Sequence, residues 1–252
     1  MVRVARPSTF DLITAELRSA IFTGALPVGS PIGEVEMSSQ LGVSRSPLRE
    51  STQRLVQEGL LTASPGRGMR VSVIGPEHVA DVYDARLAIE GQAVRLIIRS
   101  GAAAVLDRLE NAYNELVAVS AGTDARAIGD ADLAFHRELV DSAGSRRLMQ
   151  YMATLAIETR IASFSDPGGY TVRRSVSDTY RQLLDALAAG DVAAAFLALE
   201  RQFAEAVGRL TGSDEDVETV ETPDGEELPE IGPIDFAERA KAAEAAEAVK
   251  AP

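Results

Sequence analysis

Leu41-Gly42-Val43-Ser44-Arg45-Ser46-Pro47-Leu48-Arg49-Glu50 reads as a tight turn running into the start of a helix. Gly42 permits the turn, and Val43 is placed to pack it against a core. Ser44 and Ser46 stand where a hydroxyl caps free backbone N–H groups or bonds a phosphate. Pro47 is tolerated because it falls in the first helical turn. Arg45 and Arg49, four apart, share one face of the helix's N-terminal half. That half of a recognition helix enters the major groove, where a guanidinium can donate two hydrogen bonds to guanine O6 and N7. Taken alone, such a pair is more simply a solvated face ion-paired to Glu50 or Glu58; the flanking sequence decides between the two.

Upstream, Phe10, Ile13, Leu17, Ala20 and Ile21 carry the spacing of one helix face, and Gly24 and Pro27 end that helix. A second helix fits Glu34 to Leu41 and a third Ser46 to Glu58, with Leu48, Leu55 and Val56 inward and Gly59 as its stop. Two β-prone stretches, Leu60–Thr62 and Met69–Val73, flank the turn Pro65-Gly66-Arg67-Gly68. Three helices and a β-hairpin in this order predict a winged helix-turn-helix over residues 8–75. Arg67 at the hairpin tip, beside Gly68, can follow the DNA backbone into a minor groove or touch a phosphate. The candidate DNA-binding residues are Ser44, Arg45, Ser46, Arg49, Arg54, Arg67 and Gly68.

Gly75-Pro76 marks a boundary. Residues 76–211 are helical in pattern, with breaks at Ser100-Gly101, Ser120–Gly122, Ser142–Gly144, Asp166–Gly169 and Ala189–Asp191. About six helices of ordinary length are expected there, and strand-like alternation is missing, so an all-α bundle follows the winged helix. Residues 212–252 are acidic, poor in large apolar side chains and expected to be disordered; Ile234–Lys250 is at most a marginal helix.

The chain's formal charge of −13 runs against a role that requires neutralising phosphates. From Thr211 onward, however, 13 acids face Arg239, Lys241 and Lys250, so a net −10 belongs to the tail. Residues 1–75 hold eight arginines against six acids, a net +2. A solvating role for the tail competes with one in which it folds back on the arginines and weakens non-specific binding. Cysteine is absent, which excludes disulfides, thiolate zinc sites and thiol catalysis. No apolar run reaches membrane-spanning length and no signal peptide opens the sequence, so a soluble, cytoplasmic protein without a membrane partner is expected.

Residues Leu17–Gly29, Leu41–Glu50, Leu55, Glu58-Gly59-Leu60 and Pro65–Gly68 together resemble the GntR family of bacterial regulators over nearly all of 8–75. One departure is Met37-Ser38, where relatives often carry Leu-Ala. The resemblance implies that Arg45, Arg49 and the wing contact a double-stranded operator. Behind this unit, Tyr83–Glu90, Asp132–His136 and Leu183–Asp191 resemble the FCD type, the C-terminal domain of the FadR subfamily. That implies a ligand-responsive regulator, usually a repressor, acting as a homodimer on a palindromic operator. Its small-molecule effector would be an organic acid or another carboxylate or acyl metabolite.

Asp132 and His136 share a helix face and are a legitimate pair of metal ligands. In many FCD proteins two later histidines complete a divalent metal site. The matching positions here are Tyr180 and Gln202, and neutral phenol and amide groups bind divalent cations poorly. No cofactor is therefore assigned: a metal would rest on Asp132 and His136 only, and these two can instead bond each other or a ligand directly. Arg86 can fork onto a ligand carboxylate or pair with Glu90 one turn along. Candidate effector-binding residues are thus Arg86, Asp132, His136, Tyr180 and Gln202. Arg173 and Arg174 can help hold an anion or lie on the surface, and His78 near the junction reads as a surface residue. No catalytic residues are expected: a phosphate-binding glycine loop, a thiol and a nucleophile–base motif are all missing. A DNA-tethered enzyme and a constitutive regulator with a vestigial pocket are the competing readings.

Overall fold

A computed structural model describes residues 8–64, 68–164, 172–173, 176, 178–212 and 219–220. Arg67, Arg174 and nearly all of the acidic segment lie outside the described residues. The chain divides at Ser72/Val73 into two units.

In the first unit, helix α1 (Thr9–Phe22) opens with a capping box in which the Ser8 hydroxyl and the Asp11 carboxylate bond each other's backbone N–H. Helices α2 (Glu34–Gln40) and α3 (Arg45–Gln57) are joined by a turn at Gly42, whose φ of 66° is left-handed and suits glycine. The Val43 N–H donates to the Ser38 carbonyl across that turn at 3.0 Å. Strands β1 (Pro31–Ile32), β2 (Leu61–Ser64) and β3 (Gly68–Val71) form an antiparallel sheet in the order β1-β3-β2. The hairpin expected from sequence is therefore widened by a third, two-residue strand. Pro31 is accommodated because β1 is an edge strand, where a missing N–H costs little.

The core of this unit is Ile13, Leu17, Ile21, Leu41, Leu48, Leu55, Leu60 and Leu61, none more than 2% exposed. The inward face of α3 differs from expectation in one respect: Val56 is only half-buried, while Ser51 and Thr52 are fully buried. Their hydroxyls are satisfied, Ser51 donating to the Phe10 carbonyl and Thr52 to that of Arg49.

The second unit contains six helices among its described residues: α4 (Pro76–Ser100), α5 (Ala103–Ser120), α6 (Ala125–Ser142), α7 (Arg146–Phe164), α8 (Asp178–Ala189) and α9 (Val192–Leu210). A two-residue ladder, unexpected from sequence, pairs β4 (Val172–Arg173) with β5 (Thr219–Val220). Pro76 occupies the first turn of α4, where its missing N–H is harmless. Asp124 and Asp191 cap α6 and α9 by accepting from free first-turn N–H groups. Val94, Ile97, Leu109, Phe135, Leu139, Leu183, Leu187 and Leu199 are at most 1% exposed and form the centre of the bundle. No described helix is long and apolar enough to cross a membrane.

Candidate nucleic-acid interface and buried cavity

Helix α3 turns Leu48, Ser51, Thr52 and Leu55 inward, which leaves Arg45, Ser46, Arg49 and Gln53 on the exposed side. Ser44 is the N-cap residue, yet its hydroxyl makes no capping bond. The first-turn N–H groups and two hydroxyls are thus available beside two guanidinium groups, the chemistry that holds a phosphate.

Arg49 is held from the side by Glu34 of α2, its Nε and Nη2 donating to Oε1 and Oε2 at 3.1 and 2.7 Å. The Arg49 hydrogen bond, joined by the nearby positive charges of Arg49 and Arg45, keeps the Glu34 carboxyl below its ordinary range. Arg54 does not share this face. Nine residues at about 100° each place it half a turn away from Arg45, where it donates to Glu58 at 2.8 Å; Arg18 of α1 bonds the same carboxylate at 2.7 Å. Glu58, held by Arg54, therefore ties the end of α3 to α1, and Arg54 is turned away from the face that Arg45 and Arg49 share. Gly68 begins β3 with φ 73°, so the wing's backbone needs glycine there. Arg70, absent from the sequence-based set, donates to the Gly29 carbonyl at 2.9 Å and ties β3 to the loop before β1.

In the second unit a cavity of about 70 Å³ takes wall residues from all six helices. Arg86, Asp132, His136, Tyr180 and Gln202, expected from sequence to share a site, all line it, together with Tyr83, Phe203 and Arg209. Arg86 is 1% exposed and lies over two aromatic faces, its guanidinium carbon 5.0 Å from the Tyr83 ring centre and 4.7 Å from that of Phe203. Its Nε donates to Glu90 Oε1 at 2.9 Å. The two readings of Arg86 are thus compatible: one edge of the guanidinium is paired and another reaches the cavity wall.

Glu90, 0% exposed, sits behind that wall and also meets His136 Nδ1 at 2.5 Å. Burial pushes its carboxyl up, but His136 and Arg86 outweigh burial and hold it below the usual carboxylate range. An ionised carboxylate can only accept, so His136 Nδ1 donates to it and Nε2 is the ring nitrogen left toward the cavity. Burial works against the Arg86 charge as well, and Glu90 more than compensates, so its pKa is raised.

The Tyr180 hydroxyl donates to Asp132 Oδ1 and lies 3.5 Å from His136 Nε2. Burial, then the Asp132 charge, pushes the Tyr180 phenol well above its ordinary value, so it keeps its proton. This bears on the divalent metal site that the resemblance described above implies. The would-be donor set consists of a carboxylate oxygen already taken by Tyr180, one imidazole nitrogen, a protonated phenol and a neutral amide. Among the described residues no group of three or more His, Cys, Asp or Glu side chains could hold a metal. The donors present do not fit a divalent ion.

The sequence offered Glu90 only as an ion-pair partner of Arg86, and it did not point to Tyr83, Phe203 or Arg209 as part of the site. Arg209 could have been found from its spacing: it lies seven residues, two helical turns, after Gln202 on α9. His78 is exposed and lies 3.2 Å from Glu77, consistent with a surface role.

Residues 10–71 match the sequence pattern of the bacterial regulatory proteins of the gntR family, and residues 81–214 match the FCD domain. A protein of Paenarthrobacter nicotinovorans named a probable D-xylose utilization operon transcriptional repressor is 29% identical over 193 residues, covering 75% of this chain and 83% of that protein. An HTH-type transcriptional regulator of Agrobacterium vitis, from the TAR-I ttuE-ttuC' intergenic region, is 32% identical over 127 residues, 49% of this chain and 74% of its own length. The solved structure of a GntR transcriptional regulator from Rhodococcus sp. RHA1 superposes with a TM-score of 0.69 at 26% identity, covering 82% of this chain and 99% of that one. The chain belongs to the GntR family of bacterial transcriptional regulators and carries an FCD domain behind its DNA-reading unit.

Proposed function

We propose that this regulator represses transcription as a cytoplasmic homodimer, reading a palindromic operator through the exposed face of α3. Arg45 and Arg49 read bases; Ser44, Ser46 and the wing around Arg67 and Gly68 bond phosphates, and Arg54 supports the helix from behind. The DNA-binding domain spans residues 8–75 and the effector and dimerisation domain 76–211. A carboxylate effector occupies the cavity lined by Arg86, Asp132, His136, Tyr180 and Gln202, and shifts the population between forms of different operator affinity. Catalysis has no part in this reading.

The observation that carries it is the juxtaposition of Arg45, Ser46 and Arg49 on one exposed face of a helix whose N-cap hydroxyl is uncommitted. The test uses duplex DNA recovered from a random-sequence pool by the purified full-length protein. Arg45→Ala and Arg49→Ala should each abolish preference for the selected sequence while leaving the fold, read by circular dichroism, intact. Retained affinity and sequence preference in both variants would remove α3 as the reading helix.

A further inference from the structure

The wall of the cavity holds several polar atoms that no neighbour satisfies. Arg86 Nη2, Arg209 Nε and both amide atoms of Gln202 are buried with no hydrogen-bond partner among the described residues. Gln202 is only 5% exposed and Arg86 1%. Buried polar groups in folded proteins are almost always bonded, so a cluster of exceptions in one cavity points to a missing guest. The open bonds describe that guest. Two guanidinium N–H groups need acceptor oxygens, and an amide with both ends open needs a group that accepts and donates. A carboxylate meets the first need and a hydroxyl the second.

The groups on the wall divide accordingly. Glu90 pairs with Arg86 and the Asp132 carboxylate accepts from Tyr180, while Arg209 lines the cavity with its Nε unbonded, so a second guanidinium donor is open on the wall. One water needs roughly 10–15 Å³ on the scale on which this cavity measures about 70 Å³, which suits an acid of a few carbons. We infer that the cavity takes a small hydroxycarboxylate directly on protein donors, without a divalent ion. Its carboxylate lies on Arg209 and Arg86 Nη2; its hydroxyl lies at the Gln202 amide, accepting from Nε2 or donating to Oε1. This deepens, and rests on, the reading of the cavity as the effector site.

The test is calorimetric titration and thermal shift of the full chain with glycerate, lactate, propionate and 1,2-propanediol, each in EDTA and again with Zn2+. Glycerate or lactate should bind saturably in EDTA and no more tightly with Zn2+. Propionate, lacking the hydroxyl, and the diol, lacking the charge, should each bind at least about tenfold more weakly. Gln202→Leu should remove the preference for lactate over propionate while leaving the ligand-free Tm unchanged or raised, because neither amide end is bonded at present. Arg209→Met should weaken both acids and spare the diol. Binding that needs Zn2+, equal binding of propionate and lactate, or no binding of either hydroxy acid overturns the inference. Repeating the titrations with selected operator DNA separates this from the broader reading. If the hydroxy acids bind but operator affinity does not move, the cavity is not an effector site, although its chemistry is as inferred. If another compound moves operator affinity through a Gln202-sensitive site while no hydroxy acid binds, the effector site stands and this inference falls.

Discussion

Arg49, on the reading face of α3, is clasped along one edge by Glu34 of α2, leaving Nη1 as the part of its guanidinium not bonded to that carboxylate. A side chain with this much freedom is otherwise slow to settle on one base, because ordering it costs rotamer entropy. Glu34 therefore positions Arg49 before DNA arrives, at the cost of offsetting part of its charge. Glu34→Gln should strengthen binding to unrelated DNA, and steepen its salt dependence by about one charge, while lowering discrimination at the base Arg49 faces by roughly tenfold. Fluorescence anisotropy against operator and scrambled duplexes at several salt concentrations measures both. Unchanged discrimination would show that Glu34 merely neutralises Arg49.

Glu58 holds two arginines, bridging Arg18 of α1 and Arg54 of α3. Its partial burial works to raise the carboxyl, but bonds from both arginines outweigh that and its pKa is lowered. The sign follows from linkage: a carboxylate depressed in the folded state contributes stability above its unfolded pKa, about 4.3, and loses it as pH falls through the lower folded value. Glu58→Gln should cost about 1 kcal/mol at pH 7, since solvent screens both arginines, and less near pH 3, where the carboxyl is taking up its proton. Hydrogen exchange of the α1 and α3 amides in urea, compared between the two pH values, checks this. An equal cost at both would mean that packing, and not charge, is lost.

How much of this could be read beforehand depends on whether a residue's role is local. Gly42, Gly59 and Gly68 announced their turns because left-handed backbone is a local demand, and each has positive φ. The inward faces of α1 and α3 followed from spacing. Strand β1 did not, because two residues carry no alternation and Pro31 argues against a strand unless it is an edge. Arg54 continues the same stretch of sequence as Arg45, although nine residues of helix turn it away. Glu90 was the most hidden: on a helix, an arginine and a glutamate four apart usually describe a solvated pair. Only the packing of α6 against α4, which brings His136 to its second oxygen, makes it the buried centre of a network.

The packing of α4 on α9 rests on a glycine at its middle. A Cβ added to Gly91 would lie 2.4 Å from a ring carbon of Phe196. In an ordinary helix interior, Gly→Ala stabilises by about 1 kcal/mol; here the overlap should reverse the sign and cost about 1–3 kcal/mol. Gly91→Ala should therefore destabilise the native chain but stabilise a Phe196→Ala background, where the ring is gone. Urea midpoints of the four proteins in that cycle give the coupling. A stabilising Gly91→Ala in both backgrounds would show that the ring swings aside freely.

The buried pair Arg86–Glu90 allows a sharper separation of stability from function. Removing one member, as in Glu90→Leu, strands the Arg86 charge and leaves His136 Nδ1 without its acceptor, which should cost about 3–5 kcal/mol. Replacing both, Arg86→Met with Glu90→Leu, removes the charges together. Because each charge is desolvated as well as paired, the double variant should recover most of that loss, although His136 still lacks a partner. If the charges were kept only for stability, the double variant would behave like the native protein in every assay. The cavity makes a different demand, because Arg86 Nη2 faces it unbonded. A near-native unfolding midpoint together with an operator affinity that no longer responds to effector is the expected result. A double variant as unstable as Glu90→Leu alone would instead make the ion pair a structural requirement of the bundle.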